Sequence, residues 1–110
     1  MSYVSLLTLA EEFRLSGEIG LTIQCLSAAS QIEDLSNLQK SNLNYLVGKL
    51  LLKYGTNKSD CKEYLLAAIQ TARNEITDPK MIEIYFQSCL LLADYISLSP
   101  TGNSEGNKES

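Results

Sequence analysis

Apolar residues recur along this chain with the spacing of amphipathic helices. Leu6, Leu9, Ala10 and Phe13 follow the i, i+3, i+4, i+7 pattern that places side chains on one helix face. Four further stretches show the same period, with polar or glycine-containing breaks between them. No segment alternates apolar and polar residues over a useful length, as a half-buried strand would. The sequence therefore predicts an all-α fold with five helices.

Local signals mark where several of these helices begin and end. Gly17 is placed to end the first helix in a left-handed residue. Ser36 with Gln39 three positions later is a capping-box signature that opens the third helix. Asp78 followed by proline predicts the start of a fifth helix, 79–98, because a proline at the first helical position loses no hydrogen bond.

The helices are predicted to form one domain, because 110 residues allow a single compact core or a short piece of a repeat array. The predicted helical domain covers 1–98. The segment 99–110 contains TGNSEGNKES and has no strongly hydrophobic side chain in that stretch. Such a segment cannot bury enough apolar surface to offset the entropy of ordering. We expect it to be a disordered tail.

The helical segments resemble one another in pairs. When Ala29 is aligned with Ala68, the preceding helices align so that Ala10 falls close to Gly48. A glycine in mid-helix costs about 1 kcal/mol relative to alanine, so close packing against the fourth helix is the most economical explanation for Gly48. The alternating small and large residues are those of a tetratricopeptide (TPR) motif, and in the first repeat they are Ala10, Phe13, Thr22, Leu26 and Ala29.

The prediction is therefore a TPR-like α-solenoid fragment with about two and a half helix-turn-helix repeats. The fifth helix is interpreted as the first helix of a third repeat, with Ala93 in the place of Ala10. A generic helical bundle with accidental self-similarity is the alternative. Helix 79–98 is also apolar on most of its surface, whereas the end of a solenoid normally carries a polar cap. We expect the chain to be the front of a longer array and to self-associate or bind a partner through this helix.

Composition and charge narrow the functions that this fold can serve. The formal net charge is −4, and the lysines are dispersed among acids, which disfavours direct nucleic-acid binding. The absence of histidine removes the usual catalytic triads and the usual imidazole metal site, and no phosphate-binding glycine loop is present. We predict no enzyme, no cofactor, no metal and no membrane span. The three cysteines, Cys25, Cys61 and Cys89, are predicted to be reduced and to act as small core residues.

We therefore expect the binding site on the concave face of the helix array. This face is formed by the first helix of each repeat, at positions that lie between its core residues. A mixed apolar and polar lining with Tyr45 near its centre suits an extended peptide. Simple solvation of these side chains, with Tyr45 in the helix-pair interface, is the other interpretation. A clamp for a terminal carboxylate is not expected, because Leu7, Glu11 and Leu46 stand where TPR clamps use Lys and Asn. The predicted partner-binding residues are Leu7, Glu11, Arg14, Asn42, Tyr45, Lys49, Gln87, Leu90 and Asp94.

Two segments, 6–29 and 43–72, resemble the N-terminal repeats of the TPR subunit of the cohesin loader, a sister-chromatid cohesion factor. The similarity lies in "LA-x-x-F" of the first helix, "CL-x-A" of the second, the run 48–57 (with Gly55 intervening) and "YL-x-x-A", which ends at Ala68. Each piece is also part of the general TPR pattern.

The resemblance implies an α-solenoid that wraps the extended N-terminal segment of a large HEAT-repeat loader subunit. Together the two proteins would load cohesin on chromatin, so a nuclear, chromatin-associated location is expected. With two and a half repeats, this chain would hold only part of that segment, and full loader activity would be in doubt. The alternative is a general TPR adaptor in the cytoplasm that binds another peptide client.

Overall fold

A computed structural model of the chain describes residues 2–55, 59–76 and 78–98. Within these ranges the chain is all-α and forms no strand, so the predicted fold class is confirmed. The predicted tail, 99–110, lies outside the described residues. The five helices are α1 (Tyr3–Leu15), α2 (Ile19–Ala29), α3 (Asn37–Tyr54), α4 (Asp60–Asn74) and α5 (Pro79–Leu98).

Gly17 ends α1, as predicted. Its φ of 83° is left-handed. The Gly17 amide donates to the Arg14 carbonyl at 3.1 Å, and the Glu18 amide donates to the Phe13 carbonyl at 2.8 Å. These two bonds form a Schellman motif, which satisfies carbonyls at the helix end and reverses the chain tightly into α2.

Side-chain caps begin α3 and α5 where the sequence predicts them. The Ser36 hydroxyl accepts from the Gln39 amide at 3.1 Å, while the Ser36 amide donates to the Gln39 carboxamide oxygen at 2.9 Å. This reciprocal pair is a complete capping box. At α5, the Asp78 carboxylate accepts from the Lys80 amide at 2.8 Å. Both caps satisfy amide groups that the first helical turn leaves without a carbonyl partner.

The helices pack in the order expected for an α-solenoid fragment. Each helix packs against the next one along the chain, and α3 also packs against α5. No Cα atoms of α1 and α3 lie within 8 Å of each other, so α2 separates these two helices. A hydrogen bond links α2 to α4, the second helices of the two predicted pairs. It joins the hydroxyl groups of Ser27 and Tyr64, which lie 3.1 Å apart. The spacing between α1 and α3 leaves an open groove.

Small residues lie where paired helices come closest. Thr22 is 1% exposed, and its hydroxyl is 3.4 Å from the Ala10 carbonyl oxygen across the α1–α2 pair. In the α3–α4 pair, a Cβ atom on Gly48 would lie 2.8 Å from Cγ of Leu65, a side chain with no exposed surface. The predicted close packing of Gly48 against α4 is therefore confirmed. Ala10 is also buried, in the α1–α2 pair. Ala93 on α5 is exposed.

Two hydrophobic clusters stabilise the stack. The larger one lies among α1, α2 and α3 and includes Leu26, Leu43 and Val47, while the smaller one joins α3 to α4 and α5. Leu51 of α3 packs against both. The predicted burial of the cysteines is confirmed for two of the three: Cys25 and Cys61 are buried, and Cys89 is partly buried.

Candidate functional site

An apolar groove of about 360 Å³ lies between α1 and α3. Thr22 and Leu26 of α2 contribute to it because α2 separates its two walls. We call this site the α1–α3 groove. Its remaining lining residues are Leu7, Ala10, Glu11, Arg14, Leu46, Lys49 and Leu50.

The walls of this groove follow from helix periodicity. On α1, Leu7 and Glu11 are four residues apart and therefore lie on one face. On α3, Leu46 and Leu50 have the same spacing, and both also pack against the larger core cluster. The apolar arc of α3 is thus wider than the surface that its neighbours cover. The uncovered part forms a wall able to hold an apolar side chain.

Charged side chains surround the apolar lining. Arg14 forms a bidentate ion pair with Glu11, with Nε 3.0 Å from Oε1 and Nη2 2.5 Å from Oε2. Its guanidinium hydrogen bonds lower the pKa of the Glu11 carboxyl, and the same contacts raise the pKa of Arg14. Opposite them, the Lys49 ammonium lies 5.9 Å from the centroid of the Tyr45 ring. The groove thus combines two cations and one anion in a chain of net charge −4.

A second groove, of about 260 Å³, lies between α3 and α5 and is more polar. We call it the α3–α5 groove. Lys80 and Glu83 form an exposed ion pair there, with Nζ 3.5 Å from Oε1. Amide and hydroxyl side chains in this groove can donate to and accept from a peptide backbone. Its lining residues are Asn42, Tyr45, Lys80, Glu83, Ile84 and Gln87.

The predicted partner-binding residues divide between the two grooves. Leu7, Glu11, Arg14 and Lys49 line the α1–α3 groove, and Asn42, Tyr45 and Gln87 line the α3–α5 groove. The expected single face is therefore two grooves separated by α3. Tyr45 lines a groove while remaining partly buried.

Leu90 and Asp94 line neither of these two grooves. Leu90 is 61% exposed on α5. Both were predicted by counting from Ala93, taken as the equivalent of Ala10. Ala93 is exposed, so the reference point for that count is not a helix-pair contact here.

The sequence prediction missed Leu26, Leu46 and Leu50 as groove residues, because their spacing assigns them to the core. The width of the α3 stripe was the available signal. Six apolar positions occupy more of the helix circumference than one neighbouring helix can cover. They are Leu43, Leu46, Val47, Leu50, Leu51 and Tyr54.

Two further properties of the described part of the chain bear on its chemistry. Among residues 2–55, 59–76 and 78–98, no group of three or more His, Cys, Asp or Glu side chains is placed to hold a metal ion. None of the helices in these ranges has both the length and the hydropathy needed to cross a membrane.

No protein-family model, curated protein or solved structure matches the chain.

Proposed function

We propose that the chain is a non-catalytic helical scaffold that binds an extended protein segment along the α1–α3 and α3–α5 grooves. The observation that carries this proposal is the apolar α1–α3 groove with charged side chains around it. A buried apolar anchor with polar contacts at its edge is how peptide sites combine affinity with orientation.

The two grooves differ in the part of a peptide that each suits. The α1–α3 groove offers leucine side chains to an apolar anchor. The α3–α5 groove offers the carboxamides of Asn42 and Gln87 and the Tyr45 hydroxyl, which suit peptide amide and carbonyl groups. A segment that crosses α3 would use both kinds of contact.

The specific form of the proposal is a scaffold of the cohesin-loader type. Its partner would be the N-terminal segment of the large HEAT-repeat loader subunit, and its role would be to help load cohesin on chromatin for sister-chromatid cohesion. The support is the resemblance over 6–29 and 43–72, because these segments supply all the residues of the α1–α3 groove. This function belongs in the nucleus and involves no direct contact with nucleic acid.

The first experiment measures binding to fluorescent peptides that tile the N-terminal segment of the loader subunit from the same organism. Lys49→Glu should weaken the best peptide by about tenfold or more, because it replaces a groove cation with an anion. Lys53→Glu is the matched control: it makes the same charge change on the same helix, and Lys53 lines neither groove. Failure of every peptide to bind, or equal weakening by both variants, would contradict the proposal.

The second experiment separates the loader function from a general adaptor. Wild-type chain and Lys49→Glu are used as baits in nuclear and cytosolic extracts, and captured proteins are identified by mass spectrometry. The loader function requires capture of the large loader subunit by the wild type and its loss with Lys49→Glu. If a different client shows this dependence in the cytosolic extract, the TPR adaptor alternative is favoured instead.

A further inference from the structure

The outer face of α5 carries an exposed apolar seam that neither groove uses. Ile82, Phe86 and Ile96 are 39%, 60% and 56% exposed, Ala93 is exposed, and Cys89 is partly buried. These five residues are separated by four, three, four and three positions. That is the heptad spacing of the a and d positions of a coiled coil. We call this set of five residues the α5 seam.

The α5 seam is distinct from the side of α5 that stabilises the fold. Met81, Ile84 and Ser88 are buried on the opposite side, where α5 packs against α3 and α4. The helix therefore has one apolar face inside the molecule and a second one towards solvent. An exposed apolar stripe of this length is typical of an interaction surface.

We propose that the α5 seam pairs with the α5 seam of a second copy of this chain, with the two helices antiparallel. The order of side-chain sizes supports this orientation. In a parallel pair each residue would face itself, so Phe86 would meet Phe86 while Ala93 met Ala93. The separation between the helices would then have to change along the seam.

An antiparallel pair centred between Phe86 and Cys89 matches a large residue to a small one in each of its four central layers. Ile96 lies beyond them, opposite Pro79 of the second copy. Phe86 lies opposite Cys89 of the second copy, and Ile82 lies opposite Ala93. The two-fold axis repeats these pairs in the other direction. Each layer then has a similar volume, which allows close packing at a constant helix separation.

Charge also favours self-pairing. The α5 seam has no charged residue, and Tyr85, Leu90 and Leu92 flank it. The flanking acid, Glu83, is ion-paired with Lys80 on its own helix and would lie beside Leu90 of the second copy. A two-fold interface places the same surface of both copies face to face, so it requires a surface without uncompensated like charges. The α5 seam meets this requirement.

The test is the mass of the 110-residue chain in sedimentation equilibrium over a wide range of concentrations. We expect the mass to rise with concentration from 12.2 kDa towards twice that value. Phe86→Glu should weaken the dimer by about tenfold or more, because it places an unpaired charge in the apolar seam. Leu15→Glu is the matched control, since Leu15 is 72% exposed on α1 and lies outside the α5 seam.

Orientation is tested by oxidation. Phe86→Cys should form an intermolecular disulfide with Cys89, because these positions are opposite each other only in the antiparallel pair. The wild type should not cross-link through Cys89 alone, and a Cys89–Cys89 product would overturn the proposed pairing of Phe86 with Cys89. A chain that stays monomeric, or a dimer that Phe86→Glu and Leu15→Glu weaken equally, would overturn pairing through the α5 seam. A monomeric chain would leave the seam to a helix of another protein.

Discussion

Gly48 shows how a single residue controls the approach of two helices. A Cβ atom there would lie 2.8 Å from both Cγ and Cδ2 of Leu65 and 3.4 Å from the Cys61 carbonyl oxygen. Leu65 is fully buried and has little room to move. We expect Gly48→Ala to lower the free energy of unfolding by about 1 kcal/mol, because overpacking outweighs the gain in helix propensity. Gly48→Leu should lower it by about 3 kcal/mol or more.

Gly20 provides the control for this prediction. It lies in α2, and a Cβ atom there would meet no atom within 4 Å. Gly20→Ala should therefore stabilise the chain by about 0.5–1 kcal/mol through reduced chain entropy. Urea unfolding followed by circular dichroism measures both changes. If Gly48→Ala and Gly20→Ala changed the free energy of unfolding in the same direction, close packing would not explain the glycine at position 48.

Two buried serines test the cost of a polar group in the core. The Ser41 hydroxyl donates to the Ala68 carbonyl at 2.9 Å, whereas Ser88 Oγ makes no hydrogen bond to the described residues. Both side chains have no exposed surface. Ser41→Ala should lower the free energy of unfolding by about 1 kcal/mol, whereas Ser88→Ala should leave it unchanged or raise it. Chemical unfolding of the two variants measures the difference, and equal losses would contradict this account.

The Glu11–Arg14 pair makes a prediction about pH. The pKa of Glu11 lies below its ordinary value because Arg14 donates hydrogen bonds to the charged carboxylate. A lowered folded-state pKa means that the pair stabilises the fold above the unfolded-state pKa, and this contribution is lost as pH falls through the folded-state value. NMR titration of the side-chain carboxyl should show the Glu11 pKa rising in Arg14→Gln. An unchanged pKa would mean that the ion pair does not persist in solution.

At the scale of helices, the end of α1 depends on backbone conformation. A Cβ atom on Gly17 would meet nothing within 4 Å, so substitution there changes the backbone energy and not the packing. Gly17→Ala should lower the free energy of unfolding by about 1 kcal/mol, because alanine is strained at positive φ. Gly17→Asn should lose less, since asparagine tolerates this region better. Thermal unfolding compares the two, and an equal loss would argue against the Schellman motif.

Helix ends could be predicted from the sequence because they depend on hydrogen bonds between residues close in the chain. The Gly17 turn, the Ser36 capping box and the Asp78 cap are all of this kind. The close helix approach at Gly48 was also predictable, because a glycine in the middle of a helix is costly unless a neighbouring helix packs closely against it.

The grooves could not be predicted in the same way, because their shape depends on contacts between distant helices. Leu46 and Leu50 have the spacing of core residues, and only the distance that α2 sets between α1 and α3 makes them groove walls. Leu90 was assigned to the concave face by a repeat count that equates Ala93 with Ala10. The structure leaves both residues exposed on α5.

At the scale of the whole molecule, the two hydrophobic clusters meet at Leu51. This side chain packs against the larger cluster, with Leu43 and Val47, and against the smaller one, with Leu65. In a stack of helices, cooperative unfolding depends on such contacts between neighbours. We expect Leu51→Ala to lower the free energy of unfolding by about 2 kcal/mol and to let the α5 end open before the α1 end.

Hydrogen exchange resolved by residue measures this uncoupling, with Leu50→Ala as the matched control. Leu50 is also partly buried on α3, but of the two clusters it packs only against the larger one. Its truncation should destabilise the chain while α1 and α5 amides still exchange through one common opening. In Leu51→Ala the α5 amides should exchange faster than those of α1. If both variants kept a single common opening, the clusters would be coupled through other contacts, such as the packing of α2 against α3, and Leu51 would not be their junction.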